Sequence, residues 1–416
     1  MSNTLLTISD ITRELAYNLE NSLMFGKSVY RGYDDKFAQT GAKIGNTLNL
    51  RMPARFLAKD GANANNQDYT ESNVALTLSK RKHVNFQFTT EDMTLSMDDY
   101  SERTLKPAAI ALATQIDRDI STAMAKAAYS IVGTPGTTPG AASGNGLANT
   151  AGLDVLVNAG AMLDMYSAPQ DRSDRYAVFN PFGMAGVSKT LAGMYNDRGS
   201  ISQIYKDGRM RDTHLGFAVG MDQNIISFTS GTRANGSIAG ANQSGSSANI
   251  TGAGNAATIN IGDRFTIANV FTVDPVSQQS TGQLQHFVVT ANATMNASGA
   301  NTISFAPSIK AANANVADGT VDSLPANGAA LTWLGNASTV GFNNLAYHKN
   351  AIVLGTADLD MPNSIPAEAK SRITNNGISL RVVQYYNGSN DIENCRVDVL
   401  YGIAIRRPEH IVVIGG

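Results

Sequence analysis

With five histidines and one cysteine in 416 residues, this chain offers few groups for acid–base, nucleophilic or metal chemistry. His83, His214, His286, His348 and His410 are far apart. None forms the H-E-x-x-H pairing that puts two ligands on one helix face. Cys395 alone excludes an intrachain disulfide and a cysteine-based zinc cluster. No G-x-S-x-G elbow occurs. "NSLMFGKS" ends in Gly26-Lys27-Ser28, the tail of a phosphate-binding loop, but Asn21 stands where that loop needs glycine. The motif also follows a helix pattern instead of a strand, so no backbone cradle for phosphate is expected. "GAGNAA" (Gly252 to Ala257) has the spacing of a dinucleotide fingerprint but lies in a Ser/Gly/Ala tract with no helix after it, so the helix terminus that would hold pyrophosphate is missing. His348-Lys349 precedes the apolar run "AIVL", and a His–Lys pair without a third, orienting group reads as structural. "KRKH" (Lys80 to His83) fits either a contact for an anionic partner or a solvated strand edge guarded by lysine. No constellation points to an enzyme, and neither a cofactor nor a metal is expected.

The bulk properties agree. Formal charge is −2, so nothing global draws the chain to nucleic acid or membrane. A hydrophobic fraction of 43% suits a folded, soluble protein. The start, "MSNTLLTISDITREL", has no basic segment followed by an apolar one, and no apolar run reaches membrane-spanning length. Synthesis in a cytoplasm is expected.

The elements that position these residues follow from periodicity. Ser9 and Asp10 give a cap signal, and Ile11, Leu15, Leu19 and Leu23 recur at fourfold spacing, which predicts an amphipathic helix over 8–25. Leu48, Leu50 and Met52 alternate with polar residues. Val74, Leu76, Leu78, Val84, Phe86 and Phe88 do the same beyond the polar tip "AKDGANANNQDYTES". The pattern predicts a long two-stranded loop, its return strand interrupted by KRKH, which must lean on something to be stable. Leu105, Ala109, Leu112, Ile116, Ile120, Met124, Ala127 and Ile131 form one stripe, predicting a helix over 102–131 with Pro107 tolerated in its first turn. Shorter helices are expected at 152–166 and 181–195.

From 229 to 345 the composition changes. Only Arg233, Asp263, Arg264, Asp274, Lys310, Asp318 and Asp322 are charged there, 7 in 117 residues against 59 in the other 299. Short β-branched and aromatic runs between turn residues predict a small all-β insert. Its first part, the small-residue tract 229–257, is unlike a compact barrel strand. Beyond it, "AIVLG", "ISLRVVQYY" and "CRVDVLYGIAIRRPEHIVVI" read as strands, with Asn387-Gly388 in a hairpin turn.

This order of parts resembles the major capsid (coat) proteins of tailed phages with the Hong Kong 97-like fold, in the short-tailed-phage branch that carries an insertion domain. The residues that carry the resemblance are the N-terminal helix, the loop at 46–90, the helix at 102–131, "YAVFNP" (Tyr176 to Pro181), "GDRFTIANV" (Gly262 to Val270), "LAYHKNAIVL" (Leu345 to Leu354) and "YGIAIRRPEHIVVI" (Tyr401 to Ile414). It implies an α+β chain. The N-terminal arm would be 1–45, the extended loop 46–90, and the spine helix with peripheral-domain parts 91–135. The first axial-domain part would be 136–228, the barrel-like insertion domain 229–345, and the axial return with C-terminal peripheral strands 346–416. "LAYHKNAIVL" would be the strand re-entering the axial domain; within it Ala351, Ile352, Val353 and Leu354 read as a short buried strand, with His348-Lys349 at its entrance.

The function implied is a non-catalytic shell protein of the virion, assembled in the host cytoplasm. Its partners would be its own copies in hexamers and pentamers, a scaffolding protein, and a portal at one vertex. The shell would enclose double-stranded DNA without reading its sequence, and no membrane is involved. The loop would clasp a neighbouring subunit through Arg51, Arg55, Lys59, Asp60 and Glu71. The rival readings are a bacterial nanocompartment shell of the encapsulin kind and a β-rich adhesin or glycan-binding module.

Overall fold

The computed structural model describes residues 8–32, 45–58, 71–89, 104, 106–136, 152–171, 174–191, 213–313, 317–375 and 377–415. It is a mixed α+β chain of two compact units. One comprises Met1–Leu50, Asn73–Ile120 and Ile352–Ala404; the other comprises Arg51–Ser72, Ser121–Ala351 and Ile405–Gly416.

The first unit is built on a five-stranded sheet. Ile392–Ile405 is its long central strand. Ile378–Asn387 pairs on one side and Lys80–Thr89 on the other, while Ile352–Thr356 and Lys370–Asn375 complete it. The Asn387-Gly388 turn closes the hairpin as expected, with Asn387 opposite Ile392. The helix Ile8–Ser22 buries Ile11, Leu15 and Leu19, the predicted stripe, and Leu23 follows just beyond it.

The predicted ribbon exists but is shorter. Thr47–Arg51 pairs with Asn73–Thr77, and Met52 N–H to Ser72 O and Leu78 N–H to Asn46 O close its ends. Lys80–Thr89 is a separate strand, which joins the five-stranded sheet. Both strands alternate on even positions, so periodicity alone could not separate them. The base of the ribbon leans on its own chain: Leu50 and Leu76 cluster with Val353 and Ala404. The approach is close enough to require glycine. A Cβ at Gly402 would stand 2.3 Å from the Thr77 carbonyl oxygen, and one at Gly355 would stand 2.8 Å from a Leu76 methyl.

The long helix is Lys106–Ala127, with Ala109, Leu112, Ile116, Ile120 and Met124 buried. It ends before the predicted 131. Ile131 instead lies in the strand Ser130–Val132, parallel to Ile411–Ile414. The apolar position fitted both periods, and the β-branched pair Ile131-Val132 found a sheet to join.

In the second unit that strand opens a six-stranded sheet. It continues through Ile411–Ile414, Asn344–His348, Arg175–Phe179, Phe217–Met221 and Thr213–His214. The helices Gly152–Met165 and Pro181–Leu191 supply Val155, Leu156, Leu163 and Val187 to a core shared with Ala177, Phe179, Ala346 and Val412. "LAYHKNAIVL" is not one strand but two. Asn344–His348 belongs to this sheet, a 3-10 turn spans Lys349–Ala351, and Ile352–Thr356 belongs to the other.

The low-charge segment forms a closed six-stranded barrel. Its strands run Gly245–Thr251, Asn301–Ile309, Ser280–Val289, Arg264–Val273, Ala330–Leu334 and Gly236–Ile238, then back to the first. Phe265, Phe287, Phe305 and Trp333 fill it, with ring centroids 5.2–5.6 Å apart. The small-residue tract does supply barrel strands. In Gly245–Thr251 the inward positions are Ala248 and Ile250, while Ser and Asn face out. Small side chains meet the period-2 rule as well as large ones do.

Candidate functional site

The Gly26-Lys27-Ser28 tail lies in the four-residue helix Phe25–Ser28. The N–H groups a phosphate would need are already used: Asp117 accepts from Met24 N (2.6 Å) and Gly26 N (2.8 Å). Ser28 Oγ turns inward to the carbonyl oxygens of Met24 and Phe25. A buried carboxylate from the long helix thus takes the anion's place and ties the two helices together. "GAGNAA" lies between barrel strands, with Ala253 and Ala257 in the barrel core; Ala253 N–H donates to Gly299 O and Met295 N–H to Ala257 O.

KRKH opens the strand Lys80–Thr89 and does not interrupt another. Lys80 and Lys82 reach Asp119 at 3.2 and 3.7 Å, and Arg81 reaches Asp398 at 3.3 Å. These cations have partners within the chain and still keep 35–45% of their side chains in solvent, on a strand that pairs only with Ile392–Ile405 among the described residues. Burial raises the Asp119 carboxyl, but the Tyr401 hydroxyl and Lys80 outweigh it and hold it below its usual range. The Tyr401 hydroxyl donates to it at 2.6 Å.

Asp398 is the focus of a larger cluster that no motif announced. Its side chain is fully buried and receives Arg381 at 2.7 Å, Arg396 at 3.0 Å and Arg81 at 3.3 Å. The ladder explains why. Arg372, Arg381, Asp398 and His83 are direct cross-strand neighbours, so they share one face. Asp358 takes Arg372 at 3.3 Å, but Arg81, Arg381 and Arg396 outnumber Asp398, and Arg81 and Arg396 keep 45% and 35% of their side chains in solvent. The signal was present in the alternation of "SLRVVQYY" and "NCRVDVLY", but which strands are neighbours is not written in either.

The barrel hides a second cluster. Arg264 is buried and donates to the carbonyl oxygens of Ala125 (2.7 Å), Ala128 (2.9 Å) and Gly262 (3.1 Å). Ala125 is in the last turn of the long helix, where carbonyls lack intrahelical partners and the dipole favours a cation. Burial lowers the Arg264 guanidinium to about 10, with Asp263 opposing, so it stays charged at neutral pH. Beside it, Arg233 meets Asp263 at 3.2 Å and lies 4.9 Å over the Trp333 ring. Asp263 also accepts N–H bonds from Asn260 and Gly231. Burial pushes its carboxyl up and the Arg233 guanidinium down. Three of the seven charges in the charge-poor segment are therefore internal ties, and their scarcity was the available clue.

Of the residues expected to clasp a neighbour, Arg51 ends the strand Thr47–Arg51 and is exposed, as is Glu71. Arg55 pairs with Glu409 of its own chain at 3.2 Å. Lys59 and Asp60 lie outside the described residues. Among the described three, Arg51, Arg55 and Glu71, none is paired with another. His348 is buried at the end of the strand Asn344–His348, and with Lys349 it stands at the entrance of the buried strand Ile352–Thr356, as expected; Lys349 reaches Asp174 at 3.8 Å. Among the described residues no group of three or more His, Cys, Asp or Glu could hold a metal ion, and no helix is long and apolar enough to cross a membrane.

The clusters around Asp117, Asp398 and Arg264 are ties within the chain. The family described as "P22 coat protein - gene protein 5" matches residues 4–415, and the chain belongs to that family. It is a tailed-phage major capsid protein: its copies form the icosahedral shell of the phage head, and it is a component of the virion. No curated protein matches the chain in sequence. Solved structures resemble it at low identity. A Mycobacterium phage Che8 structure is 13% identical over 94% of this chain and 90% of that one, with a TM-score of 0.48. The capsid of cyanophage P-SCSP1u is 12% identical over 89% and 83%, with a TM-score of 0.44. The CUS-3 coat protein I-domain is 23% identical over 25% of this chain and 96% of that one, with a TM-score of 0.20. All lie below 0.5, and the assignment rests on the family match.

Proposed function

We propose that the chain adopts the Hong Kong 97-like capsid fold and that its copies join as hexamers and pentamers into a closed shell around double-stranded DNA. Assembly takes place in the host cytoplasm with a scaffolding protein and a portal at one vertex, and the shell protein catalyses no reaction. The observation that carries this reading is the family match over residues 4–415. Residues 229–345 are the insertion domain. In support, Ser227–Thr229 and Val340–Phe342 pair with each other, and Ser230 bonds to Asn336 and Thr339. The chain enters and leaves the barrel through one two-stranded stem. The loop at 46–90 clasps a neighbouring subunit, with Arg51 and Glu71 among its exposed charges.

Co-expression with the scaffolding protein, followed by electron microscopy, tests the reading. Closed particles of roughly tens of nanometres are expected from repeated heterologous contacts that close into rings. A protein that stays strictly monomeric under those conditions would overturn it.

A further inference from the structure

His348 closes the strand Asn344–His348, and His410 immediately precedes Ile411–Ile414. These strands pair antiparallel with Tyr347 opposite Ile411, so the register carried one residue on sets His348 opposite His410. The ring centroids are 6.3 Å apart with the planes at 78°, and the residues are only 1% and 5% exposed.

Their backbone partners fix the tautomers. His348 Nδ1 accepts the Asn350 N–H at 3.2 Å, so the proton of the neutral ring sits on Nε2. His410 Nε2 faces the Tyr166 carbonyl oxygen at 3.3 Å, to which it can only donate, so Nδ1 is the bare nitrogen. The two ring nitrogens left over, His348 Nε2 and His410 Nδ1, are buried and have no partner among the described residues. One is a donor and the other an acceptor.

We propose that His348 and His410 form an acid-released latch across the end of the six-stranded sheet, closed while both rings are neutral and opened by a proton on either. A proton on His410 Nδ1 turns the bare acceptor into a second, buried donor with no acceptor in reach among the described residues, beside the His348 ring. A proton on His348 Nδ1 evicts the Asn350 N–H. The charged groups around His348 are Asp171, Asp174, Arg175 and Lys349; those around His410 are Arg407 and Glu409, with Arg406 adjoining. Burial outweighs the nearby carboxylates, lowering His348 below 6.5 and His410 from 6.5 to about 4. The open state therefore binds protons more readily. The latch is fully favoured above the ordinary histidine range and is lost as pH falls towards about 4.

Its position gives the latch leverage. The chain leaves this unit after Ala351 and returns at Ile405, and Arg406 N–H and Arg407 N–H both donate to Ala351 O, at 2.8 and 3.0 Å. Opening the latch loosens that crossing first.

Hydrogen exchange on the full chain, from neutral pH to about pH 3.5 and corrected for intrinsic rates, reads the latch directly. Segments 344–351 and 405–412 should lose protection by about a hundredfold, two pKa units at tenfold each, while 378–387 keeps its own. His286 is also lowered to about 4, by burial and then by Arg264, so segment 281–289 should lose protection over the same range, and 378–387, which holds no histidine, is the internal control. His410→Gln keeps a donor for Tyr166 and an acceptor for His348 but does not titrate, so it should hold protection to lower pH. The latch is overturned if this variant opens at the wild-type pH. It is equally overturned if 378–387 opens together with 344–351 and 405–412 in the wild type, a profile that decides the matter even where the variant does not fold.

Discussion

In the barrel, Arg233, Asp263 and Arg264 are 4, 0 and 3% exposed, and each guanidinium faces a carboxylate or a carbonyl oxygen of its own chain. In the five-stranded sheet, Arg81, Arg381 and Arg396 gather on Asp398 with two of the three side chains more than a third in water. The two clusters resemble each other on paper and differ in what they hold. A buried cation with fixed acceptors cannot be removed without stranding its partners, which makes it a structural tie. A half-solvated arginine is screened and individually worth little, so a row of them keeps a surface charged at small cost to the fold. The barrel's ties are buried, and that of Arg264 reaches the end of the long helix; the sheet keeps one charged face partly in water.

The comparison breaks most directly if the barrel cannot stand alone. Residues 229–345, expressed as a fragment, should give dispersed β-type amide shifts and a blue-shifted Trp333 emission. A random-coil spectrum would show that the segment depends on the surrounding unit. Arg264→Met comes next. It strands the buried carbonyls of Ala125, Ala128 and Gly262, and should cost about 3–5 kcal/mol in denaturant unfolding of the full chain. A loss under about 1 kcal/mol would mean that the buried tie behaves like a surface one.

A smaller effect is expected for Asp398→Asn, about 1–2 kcal/mol near neutral pH once the exposure of its arginines is discounted. Burial alone would raise the Asp398 carboxyl, but Arg381 and Arg396 hold it below its ordinary 3.8. Its contribution is thus present above that value and fades as pH falls through the lower folded one. Wild type and variant should converge in stability in strong acid; a gap that persists there argues against a charge effect. The smallest change to the fold is expected from Arg51→Ala with Arg55→Ala, about 1 kcal/mol or less, because the Arg55–Glu409 pair is partly solvated. Particle yield should nevertheless fall several-fold, since half-broken charge pairs across an interface cost about 2–5 kcal/mol. Equal losses in monomer stability and particle yield would remove the loop's role as a clasp.

The sequence by itself determined the elements whose periodicity runs long enough to be unambiguous. The stripe from Ala109 to Met124 could only be a helix, and the runs "ISLRVVQYY" and "CRVDVLYG" on either side of Asn387-Gly388 could only be a hairpin. Composition also marked the segment at 229–345, because scarce charge is a property of the residues and not of their arrangement. What tertiary structure alone decided was pairing. Ile131 fits a helix face and a strand equally well, and the strand Ile411–Ile414 settled it. Leu76 and Val84 share a period-2 pattern, yet Leu76 stays in the ribbon because Gly355 and Gly402 leave room for it, while Val84 pairs with Val397. The sites follow the same division. Gly26-Lys27-Ser28 kept the residue types of a phosphate loop but lost the function to Asp117, ninety-one residues from Gly26. Asp398, Arg264 and the His348–His410 pair came from parts of the chain that no local pattern links, because the proximity of a buried charge or ring to its partner is set by sheet register and barrel closure.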